Sequence, residues 1–346
     1  MSSPEPRAAA ISRVVIDTDP ALGAPGADID DGLAIALALR SPSLRVEGIT
    51  IVNGNVDLAT GLSCAHTLLE RLDRTDVAIH AGADAPLHRD MHEIHKLFAS
   101  FLAPDDHSET VTTRTAPNPI GSISTTSNPN TEAARFLVDT IMANPGDITV
   151  IALGPMTNLA HALMIQPEVA TAVREFVMMA GSATTYAQNI TTVADFNAYV
   201  DPEALEYVLH SGANVRMVGL DQTSRVLLTR DHAASLRDTG DSFAGWVADC
   251  TDAWITFLGR AFPNRPEHET SCFLHDPLTV AAVVCPDLLT WQPAAVEVEC
   301  ESTLTRGLVV ADRALALFPQ KQPNALVAVD TDVDAFLRLF LTAMAN

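Results

Sequence analysis

The chain is 346 residues long and 47% hydrophobic, with 43 acidic against 21 basic residues and a formal net charge of −22. That is enough apolar material for a large core, and the charge argues against a nucleic acid or an anionic membrane surface as partner while leaving a small polyol or a nucleoside open. Cys64, Cys250, Cys272, Cys285 and Cys300 are widely spaced and lack a CxxC, as expected of reduced thiols in a cytoplasmic protein; the opening MSSPEPRAAAIS lacks a signal-peptide core, and no apolar run reaches the ~18 residues of a membrane span.

Residues 1–10 read as a loose tail, and 11–346 as one domain. Val14-Val15-Ile16 reads as a buried strand. Asp17 and Asp19 follow, then a turn rich in Pro, Gly and Ala that ends in Asp28, Asp30 and Asp31, then an apolar helix over Leu33–Leu39. Five carboxylates therefore fall between one strand and the first turn of one helix. The free N–H groups and dipole of a helix start offset part of their repulsion, but one helix end cannot balance five charges. A divalent cation can, and this density of hard oxygen ligands suits Ca²⁺ or Mg²⁺. The plainer alternative is that Asp30 or Asp31 caps the helix and the others face water.

The segment VEGITIVNGN reads as a second strand with a polar tip, Asn53-Gly54-Asn55. A helix over Asp57–Leu72, capped by Asp57, and a short strand at Val77–His80 follow. From Ala81 to Asn130 the periodicity lapses, with a helix expected only at His92–Leu102; loops of this length are functional lids or disordered segments. His88, His92, His95 and His107 within it read as surface residues. Thr131–Ala143 is helical, and Ile148–Leu153 is a strand ending at Gly154-Pro155-Met156-Thr157-Asn158, from which a helix runs to Met164. Phe176–Ala180 is a strand ending at Gly181-Ser182; a polar excursion leads to a helix at Pro202–His210; and the strand Val215–Leu220 ends at Asp221. Residues 229–262 read as mostly helical, with Trp246, Trp254, Phe257 and Phe262 at a spacing that fits core or pocket wall. His275-Asp276-Pro277 opens another helix, Ala294–Val298, Gly307–Val310 and Ala325–Val329 are strand-like, and Val333–Ala345 closes the chain as a helix. This alternation predicts an α/β protein, with a mainly parallel open sheet covered by helices on both faces and a β-rich C-terminal segment at its edge.

Strand after strand ends in an oxygen-bearing group: Asp17 and Asp19, Asn53 and Asn55, Leu153 before its Gly-Pro turn, Ser182, and Asp221. Ligands of open α/β sheets bind outside the carboxyl ends of the strands, so one edge should be a crevice suited to a hard cation and a polyhydroxylated ligand. A phosphate is disfavoured, because no Gly-rich phosphate loop occurs and Lys96 and Lys321 are the only lysines. Asp19 and Asp31 could grip one cation, with a spare carboxylate oxygen to take a proton from metal-bound water. Asp195 and Asn197, if extended, share a face that suits vicinal sugar hydroxyls; the alternative is a helix-entry loop before Asp201-Pro202. His275 could protonate a leaving group beside a metal-ligating Asp276, or be incidental to a capping Asp.

These motifs resemble the nucleoside hydrolase family, inosine–uridine-preferring type. The family's DTDPG…DDAxAL signature is matched by Asp17-Thr18-Asp19-Pro20 and Asp30-Asp31-Gly32-Leu33-Ala34. Asn53-Gly54-Asn55, the Leu153–Asn158 run, Asn189, Asp195-Phe196-Asn197 followed by Asp201-Pro202-Glu203-Ala204, and His275-Asp276 match in the family's order. The resemblance implies a Ca²⁺ held by Asp19, Asp31, Asp276 and the Leu153 carbonyl, with Asp19 as base for the metal-bound water. It implies ribose contacts from Asp30, Asn55, Asn189, Asp195, Asn197 and Asp276, a His275 that faces the base and assists its departure, and an Asp17 that supports the metal loop from behind. The implied activity is that of an N-glycosidase: Ca-dependent hydrolysis of ribonucleosides to free base and ribose through an oxocarbenium-like state, in a cytoplasmic homodimer or homotetramer serving nucleoside salvage. Three departures stand out. Nine residues, Ala21–Ile29, separate Pro20 from the Asp pair where the family has a couple; Asp195 replaces a Glu; and beyond Pro86-Leu87-x-Arg89 the family's His-Gly-x-x-Gly lid is not found. The alternatives are an inactive relative that only binds a nucleoside or ribose, and a haloacid dehalogenase-type phosphohydrolase, which also begins strand–DxD but needs a well-placed lysine.

Overall fold

The structure, a computed structural model, describes residues 11–91, 94, 131–184, 187–315 and 322–345. Its strands are β1 (Ser12–Thr18), β2 (Leu44–Ile51), β3 (Ile79–Ala81), β4 (Ile148–Ala152), β5 (Glu175–Met179), β6 (Val215–Val218), β7 (Leu227–Thr229), β8 (Ser271–Phe273), β9 (Leu289–Val298), β10 (Val309–Asp312) and β11 (Ala325–Thr331). Nine of them form one sheet in the order β10-β9-β11-β6-β5-β4-β1-β2-β3. From β3 across to β11 every pairing is parallel. β9 runs antiparallel to both β11 and β10, which gives the expected β-rich C-terminal edge.

Side chains of these strands divide by the two-residue period between two helical layers. Val14 and Ile16 pack in one layer with the helices Asp30–Leu39, Ser242–Ala261, His275–Val284 and Val333–Ala345. Val15 packs in the other, with the helices Glu132–Ala143, Thr157–Ile165 and Pro202–Leu209. The helix Asp30–Leu39 is apolar all round because nearly all of it is inside; Leu39 is its only residue that is not buried. β1 lies between β2 and β4, so the chain leaves it toward one side of the sheet and later returns on the other. That reversal makes the carboxyl ends of β1 and β4 the switch point where a crevice opens.

Some boundaries differ from the sequence reading. Asp17 lies within β1, and Asn53-Gly54-Asn55 lies beyond β2 in a turn. Residues 229–262 form two helices, Arg230–Asp238 and Ser242–Ala261, parted at Gly240, whose φ of +75° a helix cannot continue through. β7 and β8 form a small antiparallel sheet that periodicity could not reveal, each strand being three residues long. The Ala21–Ile29 turn packs on the long helix, with Gly23 against Trp246 and Gly26 against Phe257. His88 is exposed; His92, His95, His107 and most of the helix expected over His92–Leu102 lie outside the described residues. All five cysteines are free, and among the described residues no helix is long and apolar enough to cross a membrane.

Candidate active site

Asp19, Asp30, Asp31 and Asp276 are all buried, and they come from two regions of the chain about 250 residues apart. The end of β1 supplies the first, the first turn of Asp30–Leu39 the next two, and the first turn of His275–Val284 the last. Carboxylate oxygens of Asp30, Asp31 and Asp276 lie within 4.8 Å of one another. The Asp31 carboxyl also contacts those of Asp19 and Asp276. None of these carboxylates is in an ion pair among the described residues. Buried carboxylates in contact, with no basic side chain to balance them, require either shared protons or a cation. An all-oxygen donor set of this kind fits a hard divalent ion.

Local hydrogen bonds fix each carboxylate. Asp31 Oδ1 accepts from the Thr18 hydroxyl and from the Asp19 N–H (3.1 Å), and its Oδ2 accepts from Asn55 Nδ2 (2.9 Å). Asp19 Oδ2 accepts from the Asn55 N–H at 2.7 Å. Asp30 accepts from the N–H groups of Asp31 (3.1 Å) and Asp276 (3.2 Å), so it joins the two helix starts. The Asp19 carboxylate fills a slot between two glycines. A Cβ on Gly54 would stand 1.9 Å from its Oδ2, and one on Gly154 would stand 2.6 Å from its Oδ1. Behind it, Asp17 accepts from Thr50 Oγ1 and from Asn158 Nδ2 (2.8 Å), and Asn158 Oδ1 accepts from the Ala83 N–H (2.8 Å). Asp17 thus links β2 to the start of the helix Thr157–Ile165, whose Asn158 in turn holds the loop after β3.

Burial is the first cause that raises the pKa of every one of these acids. It lifts Asp17 to about 7 and Asp28, which also abuts Asp30, to about 6. Asp19, Asp30 and Asp276 lie well above the ordinary carboxylate value, with repulsion from their acidic neighbours added to burial, and Asp31 is raised as well. A raised folded-state pKa means that folding favours the proton. In the metal-free protein the penalty for charge is therefore absent below about pH 4, where unfolded carboxyls also hold their protons. It grows as pH rises and is complete above the folded-state values. The melting temperature in chelator is expected to be higher at pH 5.5 than at pH 8, and added Ca²⁺ is expected to raise it more at pH 8. A Ca²⁺ increment no larger at pH 8 than at pH 5.5 would contradict this. Thermal melts at the two pH values decide it.

Around this cluster the remaining candidate residues take different places. Asn197 Nδ2 donates to the Leu153 carbonyl and to Met179 O (3.0 Å), which leaves the Leu153 oxygen a second lone pair at the end of β4. Asp195 and Asn197 do not share an extended face. Asp195 is the N-cap of the helix Phe196–Val200, where its Oδ1 accepts from the Ala198 N–H (3.2 Å) and its Oδ2 from the Gly181 N–H (2.6 Å). The capping geometry won because a short side chain before a helix reaches the free N–H groups of its first turn. Asn189 is exposed, and no side-chain hydrogen bond joins it to the carboxylates among the described residues. Asp221 braces the loop after β5, accepting from the N–H groups of Ala183 (2.9 Å) and Thr184 (3.1 Å). His275 begins its helix buried, with Nδ1 2.7 Å from Thr223 Oγ1 and its ring 5.3 Å from that of Phe273. Burial lowers its pKa to about 4, so it is neutral at pH 7. Thr223 carries no signal in the sequence that would set it apart; Thr18, Gly54 and Gly154 fall inside the motifs quoted above, but their roles as carboxylate partner and slot walls show only in the fold.

The model of a family described as inosine-uridine preferring nucleoside hydrolase matches residues 14–338. A probable uridine nucleosidase of Arabidopsis thaliana is 31% identical over 95% of this chain and 96% of its own length. A pyrimidine-specific ribonucleoside hydrolase of Citrobacter koseri is 32% identical over 91% and 95%. Among solved structures, a purine-preferring ribonucleoside hydrolase from Gardnerella vaginalis superposes with a TM-score of 0.78 at 30% identity, covering 96% of this chain and 98% of that one.

Proposed function

This chain belongs to the inosine-uridine preferring nucleoside hydrolase family, and we propose that it hydrolyses the N-glycosidic bond of ribonucleosides in a Ca²⁺-dependent reaction, giving free base and ribose. The observation that carries the reading is the convergence of four buried carboxylates, none in an ion pair among the described residues, at the switch point of the sheet. Asp19, Asp31, Asp276 and the Leu153 carbonyl would hold the ion. When bound, a Ca²⁺ lowers the pKa of a coordinated water and fixes sugar hydroxyls by coordination.

The chain's own groups supply the rest. Asp19, held between the two glycines and the Asn55 N–H, would accept a proton from the attacking water. Asp30, Asp276, Asn55 and Asn197 offer the hydrogen-bonding groups that match a ribose. Contacts to hydroxyls remote from the reacting carbon contribute binding energy that can be used in the transition state. The carboxylates also face the positive charge that develops on the sugar as the bond to the base breaks. Asp195 caps the turn that carries Asn197 and so sets its position. Asn189 would join the ribose contacts, and His275, neutral at pH 7, would offer the departing base a hydrogen bond oriented through Thr223. The same reading carries a homodimer or homotetramer and a cytoplasmic location.

A panel of purine and pyrimidine ribonucleosides, assayed for free ribose with and without chelator, tests the proposal. Ribose release that stops on chelation and returns with Ca²⁺ is the expected result. Nucleoside binding without turnover would point to a binding-only relative, and phosphate release from sugar phosphates to a phosphohydrolase.

A further inference from the structure

The helix Pro202–Leu209 crosses back over the sheet after β5, so its carboxyl end lies near the amino end of β6, opposite the crevice. Glu206 lies in its last turn and His210 is its C-cap; four residues apart, they share one face. Glu297, near the end of β9, comes to the same place, because β9 runs antiparallel to β11 and its end meets the amino end of that strand. His210 Nε2 is 3.5 Å from Glu297 Oε2, and one ligand atom from each of Glu206, His210 and Glu297 lies within 4.8 Å of the others. The Cys300 thiol donates to Glu206 Oε2 at 3.4 Å.

We propose that Glu206, His210 and Glu297 form a second metal site, selective for a borderline divalent ion of the Zn²⁺ class. Zn²⁺ with bonds of about 2.0–2.2 Å to nitrogen and oxygen sets tetrahedral ligands about 3.4 Å apart, close to the His210–Glu297 separation already present. An imidazole with two carboxylates is a Zn²⁺ donor set; Ca²⁺ asks for six to eight oxygens, which three side chains do not provide. The His210 and Glu297 side chains are 48% and 35% exposed, so the ion enters from solvent and a water completes its coordination. The bound ion would pin the end of the helix to the antiparallel edge of the sheet.

The test titrates ZnCl₂ into the full chain with Ca²⁺ in excess, so that the acidic crevice is occupied, and repeats it on His210→Ala and Glu297→Gln. One equivalent of Zn²⁺ is expected in the unmodified protein. Affinity should fall in the two variants by at least the about 10- to 100-fold that loss of a partner supporting a metal ligand costs. A zinc-soaked crystal should show an anomalous peak among the three side chains. Zinc binding unaffected by His210→Ala and Glu297→Gln, or no zinc bound in the presence of Ca²⁺, would leave an ordinary His–Glu ion pair and overturn the proposal. None of these readouts depends on nucleoside turnover.

Discussion

Replacing Asp19 by Asn is expected to lower ribonucleoside turnover by about 10²–10⁴-fold, the range of a lost general base, while leaving the fold intact. The substitution conserves volume, so the slot between Gly54 and Gly154 still accepts the side chain, and an amide oxygen can still accept from the Asn55 N–H. What disappears is a negative charge and its capacity to take a proton. Because Asp19 is crowded by Asp31 and Asp30, removing its charge relieves repulsion in the metal-free protein. Its melting temperature in chelator should therefore be unchanged or higher than that of the parent. Activity loss with unchanged or raised stability separates a chemical role from misfolding. Near-normal turnover would show that the base is another group.

Gly54→Ala is the second large effect. The backbone of Gly54 has no positive φ, so alanine fits the conformation and the cost is steric alone. Its methyl group would stand 1.9 Å from Asp19 Oδ2 and 2.6 Å from Asp19 Cγ. Either the carboxylate moves out of its slot or the loop after β2 shifts and takes Asn55 with it. Displacement of a reacting group by about 1 Å costs on the order of 10²-fold in rate, and a loss of at least that size is expected in kcat. Gly245→Ala serves as the control. It lies within the helix Ser242–Ala261 with open space around its Cβ direction, so it should leave kcat unchanged and stabilise by up to about 1 kcal/mol. Equal activity of the two variants would mean that the glycine slot does not position Asp19.

Much of this arrangement could be read in the sequence because it is local. Strand, acidic turn and apolar helix follow one another within 14–39, and the oxygen-bearing strand ends mark the crevice edge in any parallel α/β sheet. The covering helices and the β-rich edge followed from the apolar periods, whereas the antiparallel pairing of that edge did not. What escaped is made by contacts between distant residues. Thr223 meets His275 across 52 residues, and Asn158 meets Asp17 across 141. A glycine beside Asn53 looks like a turn residue, and only the folded chain shows that it leaves room for a carboxylate. The Asp195–Asn197 pair stays open between two readings in the sequence for a different reason. Spacing alone does not distinguish an extended pair from a capped helix start, and the free N–H groups of the first turn decided it. Glu206 and Glu297 have nothing in their neighbourhoods that announces His210 between them.

Calorimetric titration of Ca²⁺ into chelator-treated protein at pH 8 bears most directly on the account, since it asks whether the buried acids share one ion. One Ca²⁺ per chain is predicted, with a higher melting temperature on binding, and Asp31→Asn should abolish both. A folded, nucleoside-cleaving protein that binds no Ca²⁺ and melts at the same temperature with or without it would contradict the account.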